Sequence, residues 1–132
     1  MAEPQIFAHS MQAINVSKGG KLVARRVERA ETSAQRRKGL LGRSRMELED
    51  GLYIVPCEWV HTFGMQFPID LAFLAADGRV LCVHHCLKPN RLSKIAVRAQ
   101  GVLELAAGRL RATDTVRGDV IRFQDAPPNE ED

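Results

Sequence analysis

The chain has 132 residues, of which 45% are hydrophobic and 27% are charged, a composition typical of a folded globular protein rather than a disordered one. This length fits one domain, and no apolar run approaches the roughly 20 residues that a membrane-spanning helix needs. A chain of this size does not require disulfides from its three cysteines, and its first residues lack the pattern of a signal peptide. We therefore expect a reduced, cytoplasmic protein without membrane association.

The charge is distributed unevenly along the chain. The net charge is +3, but the last eight residues hold four acidic side chains and no basic one, so residues 1–124 carry +7. A basic surface attracts polyanions, yet the chain has only one Trp, one Tyr and five Phe for stacking on bases and no nucleic-acid-binding motif. We expect a solvated basic surface and no nucleic-acid partner.

Eight short runs of β-branched and apolar residues, separated by turn residues, predict strands. They lie near residues 11–17, 21–29, 52–55, 69–74, 79–87, 92–97, 101–105 and 120–123. Gly19-Gly20 and Asp77-Gly78 are typical hairpin turns, so the runs on either side of each are expected to pair. For residues 103–107 a one-turn helix is an alternative, because Leu, Glu and Ala are good helix formers.

One α-helix is predicted, at residues 33–41. Thr32 is suited to be its N-cap, Gln35 three positions later completes a capping box, and Gly42 follows as a stop signal. The two ends of the chain, residues 1–10 and 125–132, are short, polar and proline-containing, and are expected to be loosely ordered.

These elements predict a single all-β domain over residues 11–124, a β-sandwich or partly closed barrel with mostly antiparallel strands and one short α-helix. Alternating βαβ units are not seen in the sequence, which argues against a parallel sheet. One hydrophobic core is expected for a domain of this length.

The stretch from Cys57 to Leu74 concentrates aromatic residues around single polar ones. It holds the only Trp and three of the five Phe. An apolar wall interrupted by a few polar groups is typical of a ligand-binding mouth. We therefore predict a binding site for a small molecule or a peptide that is lined by Trp59, His61, Thr62, Phe63, Met65 and Asp70.

His61 and Asp70 are expected to pair at that mouth. A carboxylate within the apolar run 69–74 needs donors, and His61 and Thr62 are the nearest polar groups in the sequence. Pro68 would end one extended piece and let the two ends of the motif meet. The alternative is that His61 and Asp70 separately satisfy backbone groups.

Metal-dependent and catalytic alternatives remain open. Residues two apart on a strand share a face. A zinc site could therefore be formed by Cys57, His61, Cys82, His84 and Cys86. Cys57, His61 and Asp70 are also the residue types of a nucleophile, a base and an orienting carboxylate, as in hydrolase-like chemistry. Neither set carries a Cys-x-x-Cys pair or a known cysteine-enzyme signature, and no cofactor is predicted.

Five short motifs follow one another along the chain. They are Arg36…Gly39-Leu40-Leu41-Gly42-Arg43, His61-Thr62-Phe63-Gly64-Met65…Pro68-Ile69-Asp70, Asp77-Gly78-Arg79-Val80, Leu103-Glu104-Leu105…Ala107-Gly108 and Gly118-Asp119. In this order and spacing they resemble the DUF192 (UPF0127) family of small bacterial and archaeal proteins over residues 11–124. The resemblance implies a compact β-rich domain with one short helix and no assigned activity.

The chain differs from part of that family. Many members resemble a Trp-Met-Lys-Asn-Thr form of the central motif, whereas this chain has His-Thr-Phe-Gly-Met, so a role of that Lys and Asn is not carried over. Some relatives begin with a signal peptide, which is not seen here. The Cys82 to Cys86 segment lies outside the family pattern, so a function built on it would be particular to this protein.

Overall fold

Seven strands form one curled sheet in the computed structural model, which describes residues 11–127. The strands, in chain order, are β1 Met11–Asn15, β2 Lys21–Ala30, β3 Asp50–Ile54, β4 Ile69–Leu74, β5 Val80–Leu87, β6 Gly101–Ala106 and β7 Ile121–Asp125. The α-helices are α1 Ser33–Lys38 and α2 Arg109–Ala112, and a 3-10 turn spans Val16–Lys18. The predicted β-rich domain, mostly antiparallel with a short α1, is confirmed, while α2 was not predicted.

The strand order in the sheet is β5-β4-β6-β3-β2-β1-β7. Neighbouring strands are antiparallel except β2 and β3, which run parallel from Arg26 opposite Asp50 to Ala30 opposite Ile54. The helix α1 lies in the connection between them, so β2, α1 and β3 form a crossover unit. The sheet is mostly antiparallel, as expected, and this pair is the exception: the sequence predicts a helix between the two strands but does not indicate that they become neighbours.

The two edge strands approach each other at one end of the sheet, where residues 78–80 meet residues 118–121; we call this contact the seam. There the backbone N–H of Val80 donates to the carbonyl of Asp119 at 2.8 Å. Gly78 has a φ of +91°, and a Cβ atom at this position would collide with a carbonyl oxygen of the facing segment. The motifs Asp77-Gly78-Arg79-Val80 and Gly118-Asp119 thus join the edges of the half-barrel.

Apolar side chains are buried on both faces of the sheet, in two clusters rather than the single core that was predicted. The seven-strand core includes Ala13, Val23, Tyr53, Ala72, Val80, Leu103, Leu105, Leu110 and Ile121. The second core includes Leu40, Leu52, Ile54, Val60, Ile69, Leu71, Phe73 and Val102. Because successive residues of a strand point to opposite faces, β4 and β6 contribute to both cores.

The helix α1 begins as predicted and ends earlier. Thr32 Oγ1 accepts from the Gln35 backbone N–H at 3.1 Å, and Gln35 Oε1 accepts from the Thr32 N–H at 3.1 Å, which completes the capping box. The helix ends at Lys38 rather than near Gly42, because Gly39 adopts a φ of +46°. Neither α-helix within residues 11–127 has the length or hydropathy needed to cross a membrane.

The structure bears on two of the strands predicted from the sequence. Residues 92–97 do not form a strand and contribute a single bridge, between Leu92 and His61. Residues 103–106 belong to β6, so the alternative of a one-turn helix there is wrong. β6 is a strand because both of its sides are paired, one with β3 and the other with β4.

The C-terminal strand is longer than predicted. Asp125 was expected in the loosely ordered tail but pairs with Met11 at the end of β7. Residues 126–127 of the predicted tail belong to no helix or strand, whereas residues 1–10 and 128–132, to which the rest of that expectation refers, lie outside the described residues.

Candidate functional site

A cleft opens between α1 with the residues that follow it and the segment 54–65. Its volume of about 540 Å³ falls within the range of small-ligand sites, roughly 300–1,000 Å³. Its apolar wall is formed by Leu40, Leu41, Ile54, Val60 and Met65. The second core supports this wall from below, since Leu40, Ile54 and Val60 belong to both.

Glu104 lies at the inner end of the cleft. The strand β6 holds it between Leu52 of β3 and Leu71 of β4, on the face where Val102 joins the second core. Glu104 lines the cleft and yet is only 4% exposed. Among residues 11–127 no hydrogen bond reaches its carboxyl oxygens, and only the charge of Arg43 acts on it favourably.

This environment changes the acidity of Glu104. Burial raises its pKa to about 7 from the ordinary 4.5, against the opposing effect of the positive charge of Arg43. Arg43 itself is engaged with Glu28 at 3.2 Å. Glu104 therefore exchanges a proton near neutral pH, as groups at functional sites often do.

The outer rim of the cleft is basic. Arg36, Arg37 and Lys38 follow one another at the end of α1 and line the opening. None of the three makes an ion pair with another of the described residues. Glu58 also lines the rim, and its carboxylate accepts from the Arg98 backbone N–H at 3.0 Å. Positive charge therefore predominates at the opening.

Cys57 lines the cleft, but its thiol is not activated. The Sγ donates to the carbonyl of Trp59 at 3.1 Å. Burial raises the pKa of the Cys57 thiol, a backbone hydrogen bond of Trp59 partly opposes this rise, and the nearby carboxyl of Glu104 raises the pKa further. The predicted role of Cys57 as a nucleophile in hydrolase-like chemistry has no support in this environment.

Three of the residues predicted to bind a ligand lie at the cleft. Trp59, His61 and Met65 line it, and Trp59 is 50% exposed. Phe63 does not line the cleft but stacks on the His61 ring with the centroids 5.1 Å apart. The His61 Nδ1 accepts from the Phe63 backbone N–H at 3.2 Å. The short motif 61–65 thus fixes the orientation of the His61 ring.

Asp70 does not open onto the cleft. Its carboxylate is 0% exposed and accepts from the backbone N–H groups of Cys86 at 2.8 Å and Leu110 at 2.9 Å. Asp70 shares a strand face with Ala72 of the seven-strand core, whereas the cleft lies over the second core. The expected pairing of Asp70 with the exposed His61 is therefore corrected, and Asp70 has the structural role that was the alternative.

Thr62 is also structural. It is 0% exposed, and its Oγ1 donates to the carbonyl of Lys88 at 2.6 Å and accepts from the Arg91 N–H at 2.9 Å. These bonds hold the loop 88–91 against the segment that carries His61. Thr62 thus positions the cleft wall and does not itself line the cleft.

The alternative zinc set is not assembled. Among residues 11–127 no group of three or more His, Cys, Asp or Glu side chains is placed to hold a metal ion. The regular alternation of β5 is broken near its end, where Cys86 has a φ of +51° and the pairing register with β4 shifts. His84 Nε2 accepts instead from the Lys94 N–H at 3.2 Å. The structure therefore does not bring together the five predicted zinc ligands Cys57, His61, Cys82, His84 and Cys86.

Glu104 was not among the site residues predicted from the sequence, although the sequence contains a signal for it. Glu104 is a lone carboxylate between Leu103 and Leu105, the same pattern that singled out Asp70. It also belongs to the fourth motif of the resemblance. What the sequence could not indicate is which of the two carboxylates faces a cleft.

The structure thus defines a small β half-barrel with an open, basic cleft above a buried carboxyl group. Residues 14–123 match the sequence profile of the DUF192 family, whose members are uncharacterised, and the chain belongs to this family. The resemblance found in the sequence is thereby confirmed.

Two solved structures are similar to this chain. A protein of unknown function from Novosphingobium aromaticivorans has a TM-score of 0.74 at 24% identity, over 86% of this chain and 83% of that one. A protein from Sinorhizobium meliloti proposed to regulate transcription has a TM-score of 0.73 at 26% identity, over 87% of this chain and 92% of that one. No curated protein matches the chain. These similarities support the fold of the chain and its description as an uncharacterised β-domain protein.

Proposed function

We propose that this protein is a binding module whose cleft takes a small organic ligand or the end of a short peptide. The observation that carries the proposal is Glu104, a buried carboxyl group at the inner end of an open cleft that no donor among the described residues satisfies. The fully enclosed polar atoms without a partner in the described residues are Asn15 Oδ1 and His85 Nδ1, so the Glu104 oxygens are not sealed and can be reached from the cleft. A ligand that donates a hydrogen bond to this carboxyl group would offset the cost of its burial.

The chemistry of the lining indicates the ligand class. Apolar side chains form the wall, and the side chains of Arg36, Arg37 and Lys38 stand at the opening. Such a site favours a ligand with an apolar body and an anionic group. Three of the five family motifs contribute to the lining, through Arg36, His61 and Glu104.

Binding is favoured over catalysis by the state of the polar groups. Cys57 has a raised pKa, and Asp70 is engaged with backbone groups on the other face of the sheet. No nucleophile, base and orienting group are therefore joined by hydrogen bonds among the described residues, as covalent catalysis would require.

NMR chemical shifts test this proposal directly. With 4-methylpentanoate, an apolar carboxylic acid, as the probe, we expect the largest shifts at the amides of Gly39, Leu41 and Val60 and little change at Gly118 of the seam. Arg36→Gln should weaken the effect, because it removes a rim cation, whereas Arg111→Gln on α2 serves as the matched control. Uniform small shifts over the whole domain would contradict the proposal.

A further inference from the structure

We propose that the ligand of the cleft is a small zwitterion, a short apolar peptide, whose ammonium group binds Glu104 and whose carboxylate binds the cations of α1. This inference rests on the proposed function and names the ligand class of the same cleft.

At the inner end of the cleft, no donor within residues 11–127 forms a hydrogen bond with Glu104. The other two buried carboxylates in this part of the chain have donors: Asp70 accepts from two backbone N–H groups, and Asp119 accepts from Asn15, Lys18 and a backbone N–H. The strand neighbours of Glu104 are leucines, which have no side-chain donors. An ammonium group carries three donors and a charge opposite to that of a carboxylate, and so supplies what the site lacks.

The outer end of the cleft has the opposite charge. Arg36 is half-buried, and Arg37 and Lys38 are exposed beside it. Glu58, the acidic residue of the rim, accepts from the Arg98 N–H. Charge-assisted bonds from guanidinium or ammonium groups are the usual way to hold a carboxylate. The charges of the cleft are thus sorted along its depth, negative inside and positive outside, which fixes the direction in which a zwitterion enters.

The apolar wall lies between these two ends. Leu40, Val60 and Met65 line it and offer no side-chain hydrogen bond to a ligand. Apolar amino-acid side chains are suited to this wall, whereas a sugar would leave its hydroxyl groups without partners there.

Two groups on other segments face the Glu104 carboxyl group and affect its protonation. Arg43 acts on it from the loop after α1, and Cys57 lies on the segment across from it. Because the pKa of Glu104 is about 7, binding of an ammonium group near neutral pH stabilises the carboxylate and releases a proton to solvent from the fraction of molecules in which Glu104 is protonated. A ligand without an ammonium group would release none.

Titration calorimetry with four probes tests the inference. The probes are leucine, leucyl-leucine, 4-methylpentanoate, which lacks the ammonium group, and 3-methylbutylamine, which lacks the carboxylate. We expect leucyl-leucine to bind about tenfold to a hundredfold more tightly than either singly charged analogue. Comparison of leucine with leucyl-leucine distinguishes a free amino acid from a peptide as the source of this chemistry.

Variants of the full chain assign each charge to its end of the cleft. Glu104→Gln, which keeps the shape of the side chain, should abolish the preference for the zwitterion over 4-methylpentanoate. Arg36→Gln should reduce the preference over 3-methylbutylamine, and Arg111→Gln should change neither. In wild type at pH 7 the binding enthalpy of the zwitterion should vary with the ionisation enthalpy of the buffer, and in Glu104→Gln it should not. A thermal melt of each variant controls for folding.

Two outcomes separate this inference from the proposed function. If 4-methylpentanoate binds at the cleft as tightly as the zwitterions, and Glu104→Gln leaves all affinities unchanged, the zwitterion is overturned and the binding cleft stands. If no probe binds, or if all bind away from the amides of Gly39, Leu41 and Val60, both are overturned.

Discussion

The seam and the cleft each hold a buried carboxylate, but the two carboxylates differ in their hydrogen bonding and in the direction of their pKa shifts. At the seam, Asp119 Oδ2 accepts from Asn15 Nδ2 at 3.0 Å, Lys18 Nζ at 2.8 Å and the Val116 N–H at 3.1 Å. Burial alone would raise the pKa of Asp119, but these donors together hold it below its ordinary value. At the cleft, burial of Glu104 is not compensated by any hydrogen bond within the described residues, and its pKa rises to about 7.

This difference in hydrogen bonding distinguishes Asp119, a carboxylate that stabilises the fold, from Glu104, which does not. A carboxylate with donors from its own chain contributes to stability, because its charged form is favoured in the folded state. A carboxylate without donors lowers stability at neutral pH, and such groups concentrate at functional sites.

The largest expected effect concerns Asp70, which we place with Asp119 among the structural carboxylates. Asp70→Ala leaves the N–H groups of Cys86 and Leu110 without an acceptor and should lower the free energy of unfolding by about 4 kcal/mol. Urea denaturation measures this loss. Asp70→Asn, which keeps one acceptor oxygen, should lose less. A loss below about 1 kcal/mol for Asp70→Ala would show that water replaces the carboxylate.

Glu104→Gln is expected to act in the opposite direction and to depend on pH. The pKa of Glu104 is raised in the folded state, from 4.5 to about 7, so wild type should lose stability as the pH rises between these values and stay lower above them. The difference corresponds to about 3 kcal/mol. Unfolding curves of both proteins from pH 4 to pH 8 measure it, with pH 4 as the reference. Parallel curves would mean that Glu104 is ionised normally.

Asp119→Ala should lower the free energy of unfolding by about 2 kcal/mol at pH 7, because Asn15 and Lys18 lose a shared acceptor. The folded-state pKa of Asp119 is lowered, so its contribution is present above the ordinary value of 3.8 and fades as the pH falls through the lower folded value. A double-mutant cycle with Lys18→Met separates the ion pair from the other contacts. No coupling in that cycle would contradict the role assigned to Lys18.

The smallest expected effect is at the helix that carries the cations of the cleft. Thr32→Ala removes the cap of α1 and should lower stability by about 1 kcal/mol. Ser33→Ala, at the next position, serves as the control and should be near neutral. Chemical denaturation measures both. Equal losses in the two variants would show that the capping bond does not hold this wall of the cleft.

The features of the fold that the sequence predicted correctly are those determined by residues close to one another in the chain. The capping box of Thr32 and Gln35 and the hairpin turn at Gly19-Gly20 are read within a few positions of the chain, and the structure has both. The parallel pairing of β2 with β3 was missed, because no local pattern specifies which strands become neighbours after a crossover.

The candidate site could be predicted only in part, for a related reason. The sequence indicates that a lone carboxylate in an apolar strand needs an explanation, and this applies equally to Asp70 and Glu104. Which face each one takes depends on strand register, and a shift of one residue reverses every side chain. Both faces of β4 and β6 carry buried apolar residues, so the hydrophobic pattern of the sequence could not indicate which of the two carboxylates faces the cleft.

The position of β1 between β2 and β7 also has a consequence for how the chain folds. Gln12 of β1 and Gln124 of β7 are joined by a hydrogen bond at 3.2 Å and lie 112 positions apart in the sequence. The hairpin of β1 and β2 can form early from local contacts, whereas the other edge of β1 waits for almost the whole chain to be synthesised. Until β7 pairs with β1, that edge is an unpaired strand that other chains can bind. Faster pairing of β7 should therefore reduce aggregation during folding.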